Sequence, residues 1–208
     1  MLDEVALLAL MTAIVPVAAC PPELDLDVVA EHHPPTVQSS YSLDQLREFA
    51  TRLGRQGKHE VLGFYTSNFG YTVDVEPAKP AMSGCRPAVV AKVKMILGDR
   101  VIEIGADLQN RECRRDLILS HYMLHAQFDD RALTEYANRA LDALRQMPTT
   151  ELFGNPPQGN VKDTATEAIR RALDKVLLSY DREREQTLAL ADSPEELNKV
   201  AGACRRTL

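Results

Sequence analysis

The stretch AVVAKVKMILGDRVIEI, residues 88–104, decides the fold class. Its two β-branched and aliphatic runs, 88–97 and 101–104, flank Gly98-Asp99, a dipeptide favoured in the type I′ turn of a hairpin. Upstream, residues 61–66 and 71–75 form a second pair of aromatic and β-branched runs around Asn68 and Gly70, and read as another hairpin. Four antiparallel or mixed strands are expected here. Beyond Asp107 the pattern turns helical, over about 111–146 with an interruption near Asp129, then 161–190, then a short helix over 193–203. Between the first two, residues 147–159 carry three prolines and two glycines and read as a loop. Strands followed by segregated helices define an α+β domain, a small sheet packed against long C-terminal helices.

The flanks extend this pattern. Residues 24–30 read as a first strand, stopped by His32-His33-Pro34-Pro35. Ser42 and Gln45 have capping-box spacing, and Leu43, Leu46, Phe49, Ala50 and Leu53 recur at helical intervals up to Gly54. The apolar run over residues 5–19 is shorter than the roughly 20 residues needed to span a bilayer. It reads as a targeting segment ending in Val17-Ala18-Ala19-Cys20, which places Cys20 as a cleavage or lipidation site. Asp3 and Glu4 stand where a positive flank is usual, so a buried apolar helix stays open as the alternative. The expected organisation is a signal-like or lipoprotein-type segment over 1–20 and one domain over 21–208. The expected location is the periplasm or cell envelope, with the cytoplasm as the alternative.

A formal charge of -6, a pI near 5.4 and arginines scattered among acids leave no basic footprint, which argues against nucleic acid as a partner. Membrane contact is expected only through the N-terminal anchor. Cysteines 20, 85, 113 and 204 form no CxxC pair, which excludes a zinc ribbon and a thioredoxin-type motif. An even count in an exported chain favours disulfides, and three full pairings are possible; with Cys20 lipidated, Cys85–Cys113 is the expected bond between sheet and helix. Buried reduced thiols are the reading for a cytosolic chain.

The chemistry-bearing motif is His121-Tyr122-Met123-Leu124-His125. A spacing of four on a helix sets both imidazoles on one face, with Cβ atoms about 5–6 Å apart, close enough to share one metal. HExxH proteases use this geometry for zinc and place a glutamate after the first histidine to take the proton from the attacking water. Tyr122 occupies that position, and a phenol with a pKa of about 10 is a poor base at neutral pH. Two core-facing histidines without metal are the competing reading. A third ligand is needed and spacing singles out none; Asp129, Asp130, Glu135, Glu183, Glu185, His32, His33 and His59 are the candidates.

The order of these features resembles a family of secreted or periplasmic bacterial zinc-dependent proteases of the HExxH, zincin-like kind, over about residues 27–186. The residues that carry the resemblance are the helix from Ser42 to Gly54, Gly63-Phe64-Tyr65-Thr66, the strand entered through Cys85-Arg86-Pro87, the histidine pair and Tyr180-Asp181. The resemblance implies a zincin-like fold with zinc on His121 and His125, and a histidine near position 186, where this chain has Gln186. With Tyr122 for the base and Gln186 for a ligand, it implies a degenerate, non-catalytic member with a binding or accessory role toward a protein or peptide. The alternatives are an active zinc metallopeptidase using His121 and His125, and a structural or secretion-system accessory protein.

Overall fold

The computed structural model of the chain describes residues 23–52, 61–77, 87–153, 160–193, 195–196 and 204; the N-terminal apolar run, Cys20, His59 and Cys85 lie outside the described residues. Four strands, β1 (Glu23–His32), β2 (Thr36–Gln38), β3 (Gly63–Pro77) and β4 (Pro87–Ile104), form one mixed sheet. The stretch that opened the sequence reading is its centre. β3 runs antiparallel along one edge of β4, while β1 and then β2 pair parallel with the other.

Neither expected hairpin exists. Residues 61–75 fall on β3 and its lead-in, residues 88–104 fall on β4, and the two long strands pair with each other. Gly98-Asp99 is a bulge instead of a turn. Thr66 pairs with Val101 and Asn68 with Gly98, so Asp99 and Arg100 together face Ser67 alone. Asp99 takes a left-handed φ of 48°, which its short polar side chain tolerates. Turn and bulge use the same residue types, which is why the local sequence read as a hairpin. The extra residue changes the burial phase of β4: Val89, Ala91, Val93, Met95 and Leu97 are buried before it, and Arg100, Ile102 and Ile104 after it.

That inward face is covered by α2 (Glu112–Arg145) and α4 (Val161–Ala191), joined through α3 (Thr149–Phe153). α2 runs unbroken through Asp129, against the expected interruption, because that aspartate is buried in an ion pair. α3 lies in the expected loop and sends Leu152 and Phe153 into the core. Asn160 caps α4 by accepting from the Lys162 amide at 3.1 Å. α4 crosses β3, with Phe69 stacked on Tyr180 at 3.9 Å and the Tyr71 hydroxyl donating to Asp174 at 2.5 Å. α2 lies antiparallel to α4, with Tyr136 edge-on to Tyr180 at 5.0 Å. Each fully buried aliphatic side chain in this layer contributes about 1.5–3 kcal/mol.

The opposite face carries exposed Lys92 and Lys94, except near β2, where α1 (Leu43–Arg52) covers it with Phe49 stacked on Phe64 at 5.5 Å. The capping box of α1 forms reciprocally: the Ser42 amide donates to Gln45 Oε1 at 2.8 Å, and the Gln45 amide to Ser42 Oγ at 3.3 Å.

Cys113, in the first turn of α2, is disulfide-bonded to Cys204, with Cα atoms 5.9 Å apart. This corrects the expected Cys85–Cys113 bond. The antiparallel helix pair brings the start of α2 beside the chain that leaves α4, and the Cys113 sulfur is taken there. No helix among the described residues is long and apolar enough to cross a membrane.

Candidate metal centre

The α2 periodicity does what its spacing predicts. His121 and His125 are both buried, 8% and 4% exposed, with ring centroids 4.7 Å apart. What faces them is Asp192, the residue that ends α4. Its Oδ1 lies 3.1 Å from His121 Nε2 and 3.1 Å from His125 Nε2. A hydrogen bond needs the oxygen to lie near the ring plane along the N–H direction. His121 meets that geometry, while His125 Nε2 lies close but off axis and has no hydrogen-bond partner among the described residues. A buried imidazole nitrogen left in that state costs free energy.

The three side chains could hold a metal ion. Bonds of about 2.0–2.1 Å from nitrogen and oxygen donors to a tetrahedral zinc put neighbouring donors about 3.3 Å apart. The two nitrogen–oxygen separations of 3.1 Å are near that value, and the donor atoms of the three residues all lie within 4.8 Å of one another. Two imidazoles and a carboxylate form a set that zinc accepts, with a fourth position left over. Burial opposes charge on Asp192, and the close approach and charges of the two imidazoles outweigh it, holding the carboxyl below the ordinary range. Ionised, Asp192 is ready to bind a cation. Its side chain is 45% exposed, so solvent reaches the group.

Tyr122 stands beside both imidazoles, its ring centroid 5.0 Å from His121 and 5.5 Å from His125. Its hydroxyl donates to the Gly63 carbonyl at 2.5 Å, fastening α2 to the first residue of β3. Gly63 has to lack a side chain, because an added Cβ would overlap the Glu103 carbonyl and sit 2.9 Å from the Tyr122 ring. Tyr65 meets His125 edge-on at 6.4 Å. Burial and the nearby Asp129 charge raise the Tyr65 pKa against the hydrogen bond from Arg100, which keeps this phenol neutral.

Behind the histidines lies a layer of satisfied charges. Arg100, turned inward by the bulge, donates to the Ala126 carbonyl at 2.7 Å, to the His33 carbonyl and Asp130 at 2.8 Å, and to Tyr65 at 3.1 Å. One α-helical turn beyond His125, Asp129 accepts from Arg184 at 2.7 and 3.0 Å and from Ser67 at 2.7 Å. These contacts fix the rotation of α2 and the sliding position of α4, and so bring Asp192 over the histidine pair.

The other ligand candidates are used elsewhere. Asp129 and Asp130 neutralise arginines, and Glu135 and Glu183 both pair with Arg139. His32 lies 3.2 Å from Asp130 and His33 lies 3.8 Å from Glu31. Glu185 and Gln186 are exposed, so the position where the resemblance implies a third ligand holds none. Sequence reasoning passed over Asp192 because Asp192-Ser193 reads as a connection before the next helix. One signal was present: a carboxylate at a helix C-terminus sits at the negative end of the dipole and needs a compensating partner. No protein-family model matches this chain, and neither a curated protein nor a solved structure matches it.

Proposed function

We propose that the protein is a non-catalytic, zincin-like domain of the cell envelope that holds one zinc ion on His121, His125 and Asp192 and serves a binding or accessory role toward a protein or peptide. The observation that carries this is the convergence of both buried Nε2 atoms on one Asp192 oxygen at 3.1 Å, with His125 left out of hydrogen bonding. Zinc would supply a fixed cross-link between α2 and the end of α4, with its fourth position open to a donor from a partner. The absence of catalysis is supported by Tyr122, whose hydroxyl, in the place of the base, is committed to a structural hydrogen bond with the Gly63 carbonyl. The disulfide is consistent with an extracytoplasmic location, in line with the apolar run that ends at Cys20.

Metal analysis tests this directly. Protein purified from an oxidising compartment should carry one zinc per chain, and His121→Ala and Asp192→Asn should each lose it. Metal-free wild type that fails to take up added zinc would overturn the reading. An active metallopeptidase is the second reading, favoured by the half-exposed Asp192, which lets water reach a fourth position. Chelator-sensitive cleavage of a denatured protein substrate by the wild type would establish it.

A further inference from the structure

The end of α4 that delivers Asp192 is weakly held by packing. After Tyr180 no described residue of α4 is buried, so its last turns add little apolar contact. What keeps them on α2 is the Arg184–Asp129 and Arg139–Glu183 ion pairs, the contacts of Asp192 itself, and the Cys113–Cys204 disulfide. The disulfide ties α2, which carries the two imidazoles, to the chain that follows Asp192. Cys113 lies roughly two helical turns before His121 on α2, and Cys204 follows Asp192 by about twelve positions. The chain carrying the carboxylate is thus covalently returned to the helix that carries the two imidazoles.

We infer that the disulfide sets the zinc affinity of the His121–His125–Asp192 site, so that the chain becomes a strong zinc binder only once Cys113 and Cys204 are oxidised. The inference rests on the proposed metal site and adds its regulation. In the reduced chain the end of α4 frays, as helix ends without buried contacts do, and the local concentration of the carboxylate at the histidine pair falls. Oxidation removes one proton and one electron from each thiol, and a disulfide-bearing oxidant takes both pairs to become a dithiol. Zinc loading then follows arrival in an oxidising compartment, and a chain still in a reducing one does not sequester the metal. Coupling between two equilibria is reciprocal, so bound zinc must make the disulfide harder to reduce by the same factor.

The experiment measures zinc affinity by chelator competition for the oxidised wild type and for the double variant Cys113→Ala/Cys204→Ala, which offers no thiol ligands of its own. The expected result is an affinity loss of about tenfold or more, within the usual range of coupling. On the wild type alone, the disulfide equilibrium in a glutathione buffer is measured with and without zinc, and should move by about 30 mV toward the oxidised form for each tenfold of coupling. This second arm holds even if the double variant fails to fold. Tight zinc binding that is equal in both proteins, with an unmoved disulfide potential, overturns the coupling and leaves the metal site standing. No zinc binding by the oxidised wild type overturns the metal site, and the coupling with it.

Discussion

The hydroxyl of Tyr122 donates to the carbonyl of Gly63 at 2.5 Å, across an approach so close that no side chain fits on the glycine. The position where a protease would carry its base is used here to fasten helix to sheet. Tyr122→Phe should lower stability by about 0.5–1.5 kcal/mol, the usual worth of one hydrogen bond, with zinc stoichiometry unchanged. Tyr122→Glu should be worse, because a carboxylate would meet a carbonyl oxygen, and it should yield no peptidase activity. Adding Gln186→His should not help, since that residue is exposed and, six positions before Asp192, lies on another face of α4. Denaturant titration and cleavage of a denatured substrate measure all three, and appreciable turnover by the Tyr122→Glu variant would refute the assignment of Tyr122 to structure.

Cys113 and Cys204 close a long loop, with a sequence separation of 91. On the chain-entropy model such a bond stabilises by about 4–5 kcal/mol. Cys204→Ser should therefore lower the denaturation midpoint strongly, and peptide mapping without reductant should recover the fragment pair containing residues 113 and 204. Recovery of an 85–113 pair would contradict the structure.

Asp129 is 1% exposed and held by Arg184 at 2.7 Å. Removing one partner of a buried pair typically costs about 3–5 kcal/mol, whereas replacing both with apolar groups costs far less. Asp129→Leu should be severely destabilising, and Asp129→Leu/Arg184→Met should recover much of the loss. A double variant as unstable as the single one would show that the pair contributes through packing, not through charge.

Alkaline pH should reveal the tyrosines that join α4 to its neighbours. Burial, then the hydrogen bond and charge of Asp174, push the Tyr71 phenol up to about 12; burial, then a hydrogen bond with Glu183, push Tyr136 up to about 12. Each folded value lies above the unfolded value of about 10. The folded state therefore binds the phenolic proton more tightly, and this stabilisation is complete below about pH 10 and is lost as pH rises through about 12. Phenolate absorbance followed together with circular dichroism should show a late group of tyrosines ionising as the helices melt. Complete ionisation of all tyrosines near pH 10 in a still-folded protein would contradict this.

The parts of the fold set by local pattern were legible in the sequence. The capping box at Ser42 and Gln45, the helical face shared by His121 and His125, and the segregation of strands from helices each depend on residues a few positions apart, and each forms as expected. The bulge was misread because Gly98-Asp99 suits both a hairpin turn and an inserted residue, and only the pairing of β3 with β4 decides between them. Asp192 and the partner of Cys113 were illegible for another reason. Both depend on how far α4 slides along α2, which is set by tertiary contacts such as Arg184–Asp129, and no periodicity in either helix encodes that.

The position of β4 has a consequence for how the chain reaches this structure. β1 is made first, yet its only strand partner among the described residues is β4, with Leu24 beside Val89 and Val28 beside Val93. Between them the chain must make β2, α1 and β3, and the pairing of β1 is parallel, so no local hairpin can start it. Sheets built from such distant pairings fold slowly, because the loop must close before any contact rewards it. During synthesis β1 has no strand partner among the described residues until residues 87–104 have emerged, and it carries the acids Asp25, Asp27 and Glu31, charges of the kind that oppose edge-to-edge pairing of an unpartnered strand.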